Sequence, residues 1–536
     1  MHLRKRGYPV GTTVRRPVLS PNPKPAQPAA TDAGPWILLA TILGSSMVFI
    51  DGTVVSVALP VLQHDLRATV ADVQWVVEAY ALFLAALLLV GGSLGDKLGR
   101  RRIFLVGAGI FTVASVACGF APNINFLIAA RAVQGVGGAL LTPSSLAIIT
   151  ASFSAEKRGQ AIGTWSGFTS ITSAIGPILG GVLVQFASWR FVFLINVPLA
   201  VLVFTISLWK LPESTESESS SNLDFAGATL ATIGLGAFVF GLITGGSDGL
   251  GSPGALGGII IGSAALIGFV IVESRSAAPM MPLNLFRSRT FAGANLLTLL
   301  LYAGLGGALF FVPFNLIQIH GYPASAAGAA NLPFVLIVFS LSRWSGGLIA
   351  RYGARVPLII GPCIDALGFL LFARIGADGS YWTTFFPASI VLGIGMAITI
   401  APLTTAVMGA VDSHLAGIAS GVNNAVSRTA GLLAVAIFGI VVVAVFGSSL
   451  DSHLAMLHLS PTVMNAIDAQ KTKLGSIEIP STLSAQMHAT IHSAIGAAFT
   501  DGFRVSMIIA AVLALASAVM SWALLDNKPV SKQPNT

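Results

Sequence analysis

The sequence predicts an all-α membrane protein with fourteen transmembrane helices, and three observations carry that expectation. Only 9% of the 536 residues are Asp, Glu, Lys or Arg, while 54% are apolar and 58 more are glycine. A soluble domain needs roughly 25% charged residues to cover its surface. Second, fourteen apolar segments approach the roughly 20 residues needed to cross a hydrocarbon core. Third, the basic residues alternate between the connections instead of gathering in one patch. A water-soluble enzyme, a disordered chain and a disulfide scaffold are excluded by composition. Without water to satisfy the backbone, lipid-exposed segments of this length must be helices.

Taken in order, residues 1–35 are rich in Pro and basic side chains, lack periodicity and read as a disordered tail. No short apolar core with a cleavage site precedes Trp36, so no signal peptide is expected. Six segments follow, near 36–60, 74–94, 103–121, 126–150, 161–186 and 191–209. They form a predicted N-terminal six-helix bundle over 36–210. The acidic, Ser-rich stretch 210–222 is a solvated linker, and helices near 225–244 and 255–272 complete a central insert over 211–290. A second six-helix bundle over 291–526 takes segments near 291–318, 326–349, 357–374, 383–408, 421–446 and 501–525. Its longest outer loop, 447–500, reads as short amphipathic pieces lying on the surface, and 527–536 is a second tail.

Charge sets the expected orientation. An even helix count puts both termini on one side, where 20 of the 29 Lys and Arg residues fall. The opposite loops hold five, and Arg131, Arg343, Arg428 and Arg504 lie within helices. The positive-inside rule then places both termini in the cytoplasm, in a cell (inner or plasma) membrane. The net charge of +8 is therefore an orientation signal, and no nucleic-acid partner is expected. Cys118 and Cys363, on different predicted helices, read as buried core thiols and not as a disulfide.

An internal repeat supports the two bundles. Residues 92–102 read GSLGDKLGRRR and residues 346–356 read GGLIARYGARV. Gly92, Leu94, Lys97, Gly99 and Arg101 line up with Gly346, Leu348, Arg351, Gly353 and Arg355. Repeated halves are a transporter signature, with the substrate site between them near the midplane.

These strings resemble the 14-helix drug–proton antiporters (multidrug efflux, antibiotic resistance) of the major facilitator superfamily. DGTVVSVALP (51–60) resembles the first-helix motif with Ser56 where Asn is usual, and GSLGDKLGRRR resembles the loop 2–3 signature. RAVQGVGG (131–138) resembles the fourth-helix motif; Gly163, Gly176, Pro177 and Gly180 match the fifth-helix antiporter motif, with Thr172 replacing one glycine. WRFVFLINVPLA (189–200) completes the set, and the resemblance covers roughly residues 36–526. It implies the major facilitator fold, two six-helix bundles plus two extra central helices, and proton-coupled export of amphipathic, often cationic, drugs by alternating access. Export of a lipid or endogenous metabolite would share every motif, while an uptake symporter would lack the Gly-Pro motif.

The loop 2–3 residues have a physical reading. Gly95 and Gly99 permit a tight turn, and Asp96 can accept from backbone N–H groups or a helix end. Arg100, Arg101 and Arg102 either reach acidic groups in the partner half, as the latch implied by the resemblance, or simply anchor topology. Gly91–Gly95 also matches G-x-S-x-G, but a nucleophile elbow needs a strand–turn–helix context, so no enzyme is expected. No Gly-Lys dipeptide exists, hence no Walker A loop. No cofactor is expected, and the energy must come from a gradient. His488 and His492 lack a third ligand, so no metal is expected either. The expected partners are a small-molecule substrate, protons and the lipid bilayer; a periplasmic adaptor is left open.

The candidate proton site lies in the first half. Asp51, Glu78 and Arg131 fall at similar depth on predicted helices 1, 2 and 4. An Asp near a helix centre costs about 2.5–3.5 kcal/mol to insert. One Arg cannot neutralise two carboxylates, so at least one is free to exchange protons or meet a cation. Arg343 and Asp365 fall at similar depth in an expected helix 10–11 hairpin, either as a static pair or as part of the substrate cavity. Asn315 and Gln318 share a helix-9 face and either line that cavity or bond to a neighbouring helix. Arg428 reads as snorkelling or paired. Gly176 and Pro177 would bend helix 5 where the halves meet, preventing leak of uncoupled protons, or simply allow close packing, and the two readings are not exclusive.

Overall fold

A computed structural model describes residues 34–214, 224–276, 279, 281–376, 380–411, 416–457, 459–481 and 483–525. Both expected tails lie almost wholly outside the described residues, as does most of the acidic linker. The side chains of Asp96 and Arg343 lie outside them too.

Thirteen helices among the described residues are long and apolar enough to cross a membrane. They are α1 (Gly34–Asp65), α2 (Val70–Leu98), α3 (Arg100–Gly119), α4 (Ile124–Ser152), α5 (Ala155–Phe186), α6 (Phe191–Lys210), α7 (Phe225–Asp248), α8 (Pro253–Arg275), α9 (Arg289–Ile319), α10 (Ala324–Ser342), α12 (Phe385–Gly409), α13 (Ala416–Ala455) and α14 (Ala485–Leu524). The fourteenth, α11 (Pro357–Ala373), is a shorter apolar helix of 17 residues. At 1.5 Å per residue it is about 26 Å long, enough to cross a slightly thinned bilayer.

Polar side chains set where several helices begin. Thr69 accepts from the Asp72 amide while the Asp72 carboxylate accepts from the Thr69 amide, a capping box that starts α2. Asn123 caps α4 and Ser484 caps α14 in the same way, each accepting from an amide three residues on. The Ser484 cap explains one departure from expectation. Helix 14, predicted from 501, begins at Ala485, and α13 likewise runs on to Ala455. The long loop is thereby reduced to a compact cap. In it, the helix Pro461–Asp468 buries Val463 and Ile467, and the turn Lys471–Ser476 buries Leu474.

The helices pack as two groups. In the first, α4 lies against α2 and α3, and α1 against α5 and α6. In the second, α9 and α11 both pack on α14, α9 on α13, and α10 and α11 on α12. The α7–α8 hairpin touches α2 of one group and α13 of the other. Glycines make α7 and α8 a tight pair: a methyl at Gly262 would overlap Phe238, and one at Gly258 would overlap Gly241. The expected helix 10–11 hairpin is not formed, because α12 packs between its two members.

Candidate functional site

Small residues bring α4 close to its neighbours. A methyl at Gly135 would overlap the Tyr80 carbonyl on α2, and one at Gly137 would crowd the Phe111 backbone on α3. That approach lets Arg131 reach both α1 and α2. Its guanidinium donates to Asp51 Oδ2 at 2.5 Å and, through Nε, to the Val76 carbonyl at 2.9 Å. Gln134 Nε2 donates to Asp51 Oδ1 at 2.8 Å, and its own Oε1 accepts from Arg131 at 2.8 Å. Asn196 on α6 donates to Ser115 at 2.9 Å and to Asp51 Oδ1 at 3.4 Å. The Tyr80 ring lies 4.2 Å from the guanidinium carbon. Asp51 and Arg131 are 0% and 1% exposed. A buried ion pair holds only with further hydrogen bonds to its members, and here both Asp51 oxygens and the Arg131 Nε and Nη1 atoms have them.

Glu78 stands apart from this network. It is 1% exposed, and its Oε2 has no hydrogen-bond partner. Arg131 therefore takes Asp51 and leaves Glu78. Helical spacing puts Glu78 on the α2 stripe of Gln74 and Leu82. Gln74 donates to the Val435 carbonyl on α13 at 2.6 Å, and Leu82 packs with Leu432. Glu78 thus lies at the seam between the two groups. Neither carboxyl meets solvent in this conformation, so proton exchange at either requires the surrounding helices to move.

The seam is closed at the end opposite the described termini. A methyl at Gly176 would overlap the Thr53 hydroxyl, and one at Gly180 would crowd Val54, so these glycines seat α5 on α1. A methyl at Gly181 would overlap the Ala324 carbonyl, and one at Gly328 the Pro177 carbonyl, so α5 and α10 meet backbone to backbone. Gln185 and Ser325 hydrogen-bond across this contact. Gln318 donates to Gln63 Oε1 at 2.9 Å and to Ser476 Oγ at 2.8 Å, and Gln63 donates to the Lys473 carbonyl at 3.2 Å. Gln318 therefore belongs to this closure and not to an open cavity. Asn315 is 0% exposed, and neither side-chain polar atom has a partner. Both sit in a π-helical turn, Asn315–Ile319, which widens the end of α9.

Both motif turns place a glycine at positive φ. Gly99 has φ of +109° and Gly353 has φ of +72°, the left-handed region that favours glycine. Gly95 lies inside α2 against Ser144, and Gly92 faces Pro143, so both serve the α2–α4 contact and not the turn. The basic residues after Gly99 engage the segment following α6. The Arg100 amide donates to the Ser214 carbonyl at 3.0 Å, the Arg101 amide to Glu213 at 3.1 Å, and Arg102 lies 3.9 Å from Glu213. These contacts lie within the first group.

The expected Arg343–Asp365 contact cannot be described, because the Arg343 side chain lies outside the described residues. Asp365 is 0% exposed, and both carboxylate oxygens lack a partner among the described residues. Asp365→Asn is therefore expected to leave the unfolding midpoint of the purified protein unchanged or raised. Loss of a formed pair would cost about 3–5 kcal/mol and lower it clearly. Cys118 is buried, whereas Cys363 is exposed on α11, contrary to the expected pair of core thiols.

Sequence reasoning missed Gln134, Asn196, Ser115, Gln63 and Gln74. The available signal was a polar side chain within an apolar helix, which is costly enough to imply a partner. Gln134 was also one turn from Arg131.

A model of the Major Facilitator Superfamily matches residues 41–452. The chain is 32% identical over 504 residues to the tetracenomycin C resistance and export protein of Streptomyces glaucescens, covering 93% of each. It is 35% identical over 418 residues to the multidrug resistance protein Stp of Mycobacterium tuberculosis, covering 78% of this chain and 77% of that one. A solved bacterial homolog of the human lysosomal transporter Spinster, inward-facing and unoccupied, matches with TM-score 0.64 and 18% identity, over 92% of this chain and 98% of that one. That last likeness concerns the fold.

Proposed function

Because the chain belongs to the Major Facilitator Superfamily, we propose that it exports amphipathic, often cationic, drugs in exchange for protons by alternating access. The relatives named for resistance and export support the direction and the class of cargo. The excess of Lys and Arg on the side of the termini supports a cytoplasmic placement of both ends. With that orientation, the closure made by α5, α10, Gln63 and Gln318 faces outward, and the conformation is the one that loads cargo from inside.

The observation that carries proton coupling is the unequal treatment of two buried carboxyls. Asp51 is fully satisfied by Arg131, Gln134 and Asn196. Glu78 is buried with an oxygen that accepts nothing. An ionised carboxylate buried alone costs several kcal/mol, and a proton removes that charge. Glu78 is thus the exchanging group, and the Asp51–Arg131 pair is the fixed charge that holds α1, α2 and α4 around it. With the outer end closed, a local parting of α2 from α13 opens Glu78 to the cytoplasm, where its proton leaves and cargo enters. Opening to the outside returns a proton and displaces the cargo.

One exchanging carboxyl swaps one proton for one monocation and moves no net charge. The membrane potential, worth about 2.3 kcal/mol per charge per 100 mV, then does no work. Reconstituted vesicles separate the two forces. A pH difference alone should drive monocation export, and a potential at equal pH should not. Export driven by the potential alone would rule out this stoichiometry.

A further inference from the structure

We propose that a cavity of about 490 Å³ between the α7–α8 hairpin and the α2–α13 seam binds the apolar body of an amphipathic small molecule. This deepens the exporter reading and rests on it. The cavity shares no wall residue with the Asp51–Arg131 network.

Its size lies within the roughly 300–1,000 Å³ of small-molecule sites, which are mostly apolar with a few placed polar groups. The walls include Ala86 of α2, Leu235 of α7, Phe269 of α8, Leu299 of α9 and Val426 of α13. Two polar residues, Asn295 and Thr429, complete the lining. Asn295 is held in place: its amide donates to the Phe291 carbonyl at 2.9 Å, and its oxygen accepts from Asn423 at 3.1 Å. Asn423 also donates to Thr298 at 2.7 Å. The Thr429 hydroxyl makes no hydrogen bond among the described residues and is free to meet a polar group of the ligand. Among the described residues no Lys or Arg lines the cavity to hold a lipid phosphate, which favours a small amphiphile over a phospholipid.

The placement gives the site a role. Its walls come from both halves and from the hairpin that bridges them, so rocking must change its volume. A ligand held there stabilises the conformation in which the cavity is open, by its differential affinity for the two states.

The test uses the full chain in lipid nanodiscs with N-phenylnaphthylamine, an apolar amine that brightens in apolar surroundings. Ala231→Trp and Ala425→Trp each place an indole in the cavity, and Ile260→Trp on the outer face of α8, where Ile260 is 64% exposed, is the control. Probe affinity should fall about tenfold or more in the filled variants and stay at the parental value in the control. Parental affinity in both filled, folded variants overturns the proposal. If a tryptophan prevents folding, Ala425→Leu and Thr429→Val give the same reading at about threefold, and no loss there overturns it equally. Phospholipid that co-purifies with the parent and is lost on filling, with probe affinity unchanged, means the cavity holds lipid and also overturns it. Export in vesicles is read beside binding. Probe binding lost on filling in a parent that exports nothing keeps the site and sinks the exporter reading. Parental probe affinity and export in the filled variants do the reverse.

Discussion

Glu78→Gln is expected to abolish pH-driven export while leaving the protein folded. Glutamine matches the shape of the side chain, and Glu78 Oε2 makes no hydrogen bond that the change would break. In reconstituted vesicles, a pH difference of one unit supports about a tenfold gradient of a one-for-one exchanged monocation. The variant should support none, while still binding cargo and passing it down a cargo gradient. Asp51→Asn should behave differently. It leaves the Arg131 guanidinium buried at 1% exposure without its carboxylate. Breaking such a pair costs about 3–5 kcal/mol, a large part of a typical stability of about 5–15 kcal/mol. A lower unfolding midpoint is expected, and Asp51→Asn combined with Arg131→Gln should recover much of it. A Glu78→Gln protein that still builds a pH-driven gradient would remove Glu78 from the mechanism.

Gly328→Val should hold the protein open at the end now sealed. The valine would overlap the Pro177 carbonyl, so α10 could no longer lie against α5. Overpacking of this kind costs about 1–3 kcal/mol, which shifts a two-state balance by about 5- to 150-fold. The cost falls only on the conformation in which α5 and α10 touch. Export should drop accordingly, and a cysteine placed at Gln63, which is 1% exposed, should become reactive to an impermeant maleimide added outside. The background for this carries alanine at Cys118 and Cys363. Gly163→Val on the same α5 is the control, because nothing lies within 4 Å of a methyl there. Unchanged labelling at position 63 with reduced export would point to a folding defect and not to the seal.

Several residues were legible from the sequence in type and approximate place. Asp51, Glu78 and Arg131 stood out because charge inside an apolar run is expensive. Gly99 and Gly353 stood out because the repeat aligned them, and both adopt positive φ. Gly176 and Pro177 sit where α5 meets α1 and α10. Other readings stayed open in the sequence for an identifiable reason. Arg343 and Asp365 were placed by depth, either as a pair or as part of the cavity, but depth ignores what packs between two helices, and α12 lies between theirs. Gln318 was expected to line the cavity or to bond to a neighbouring helix, and it does the second, donating to Gln63 of α1 and to Ser476 of the folded cap at the outer closure. The linker contact of Glu213 with the Gly99 turn left no sequence pattern at all, since it joins residues more than a hundred positions apart.

The sequence by itself determined the solvent of this protein, the number and order of its helices, its duplicated halves and the few charges that lipid would not tolerate without a use. Each follows from the transfer energy of side chains taken one at a time, which composition and spacing record directly. Only the tertiary structure decided that Arg131 pairs with Asp51 and not Glu78, that glutamines seal one end, and that the central hairpin walls an apolar cavity. Those outcomes depend on helix rotation and on which small residues let two backbones touch, and hydropathy is the same for every rotation.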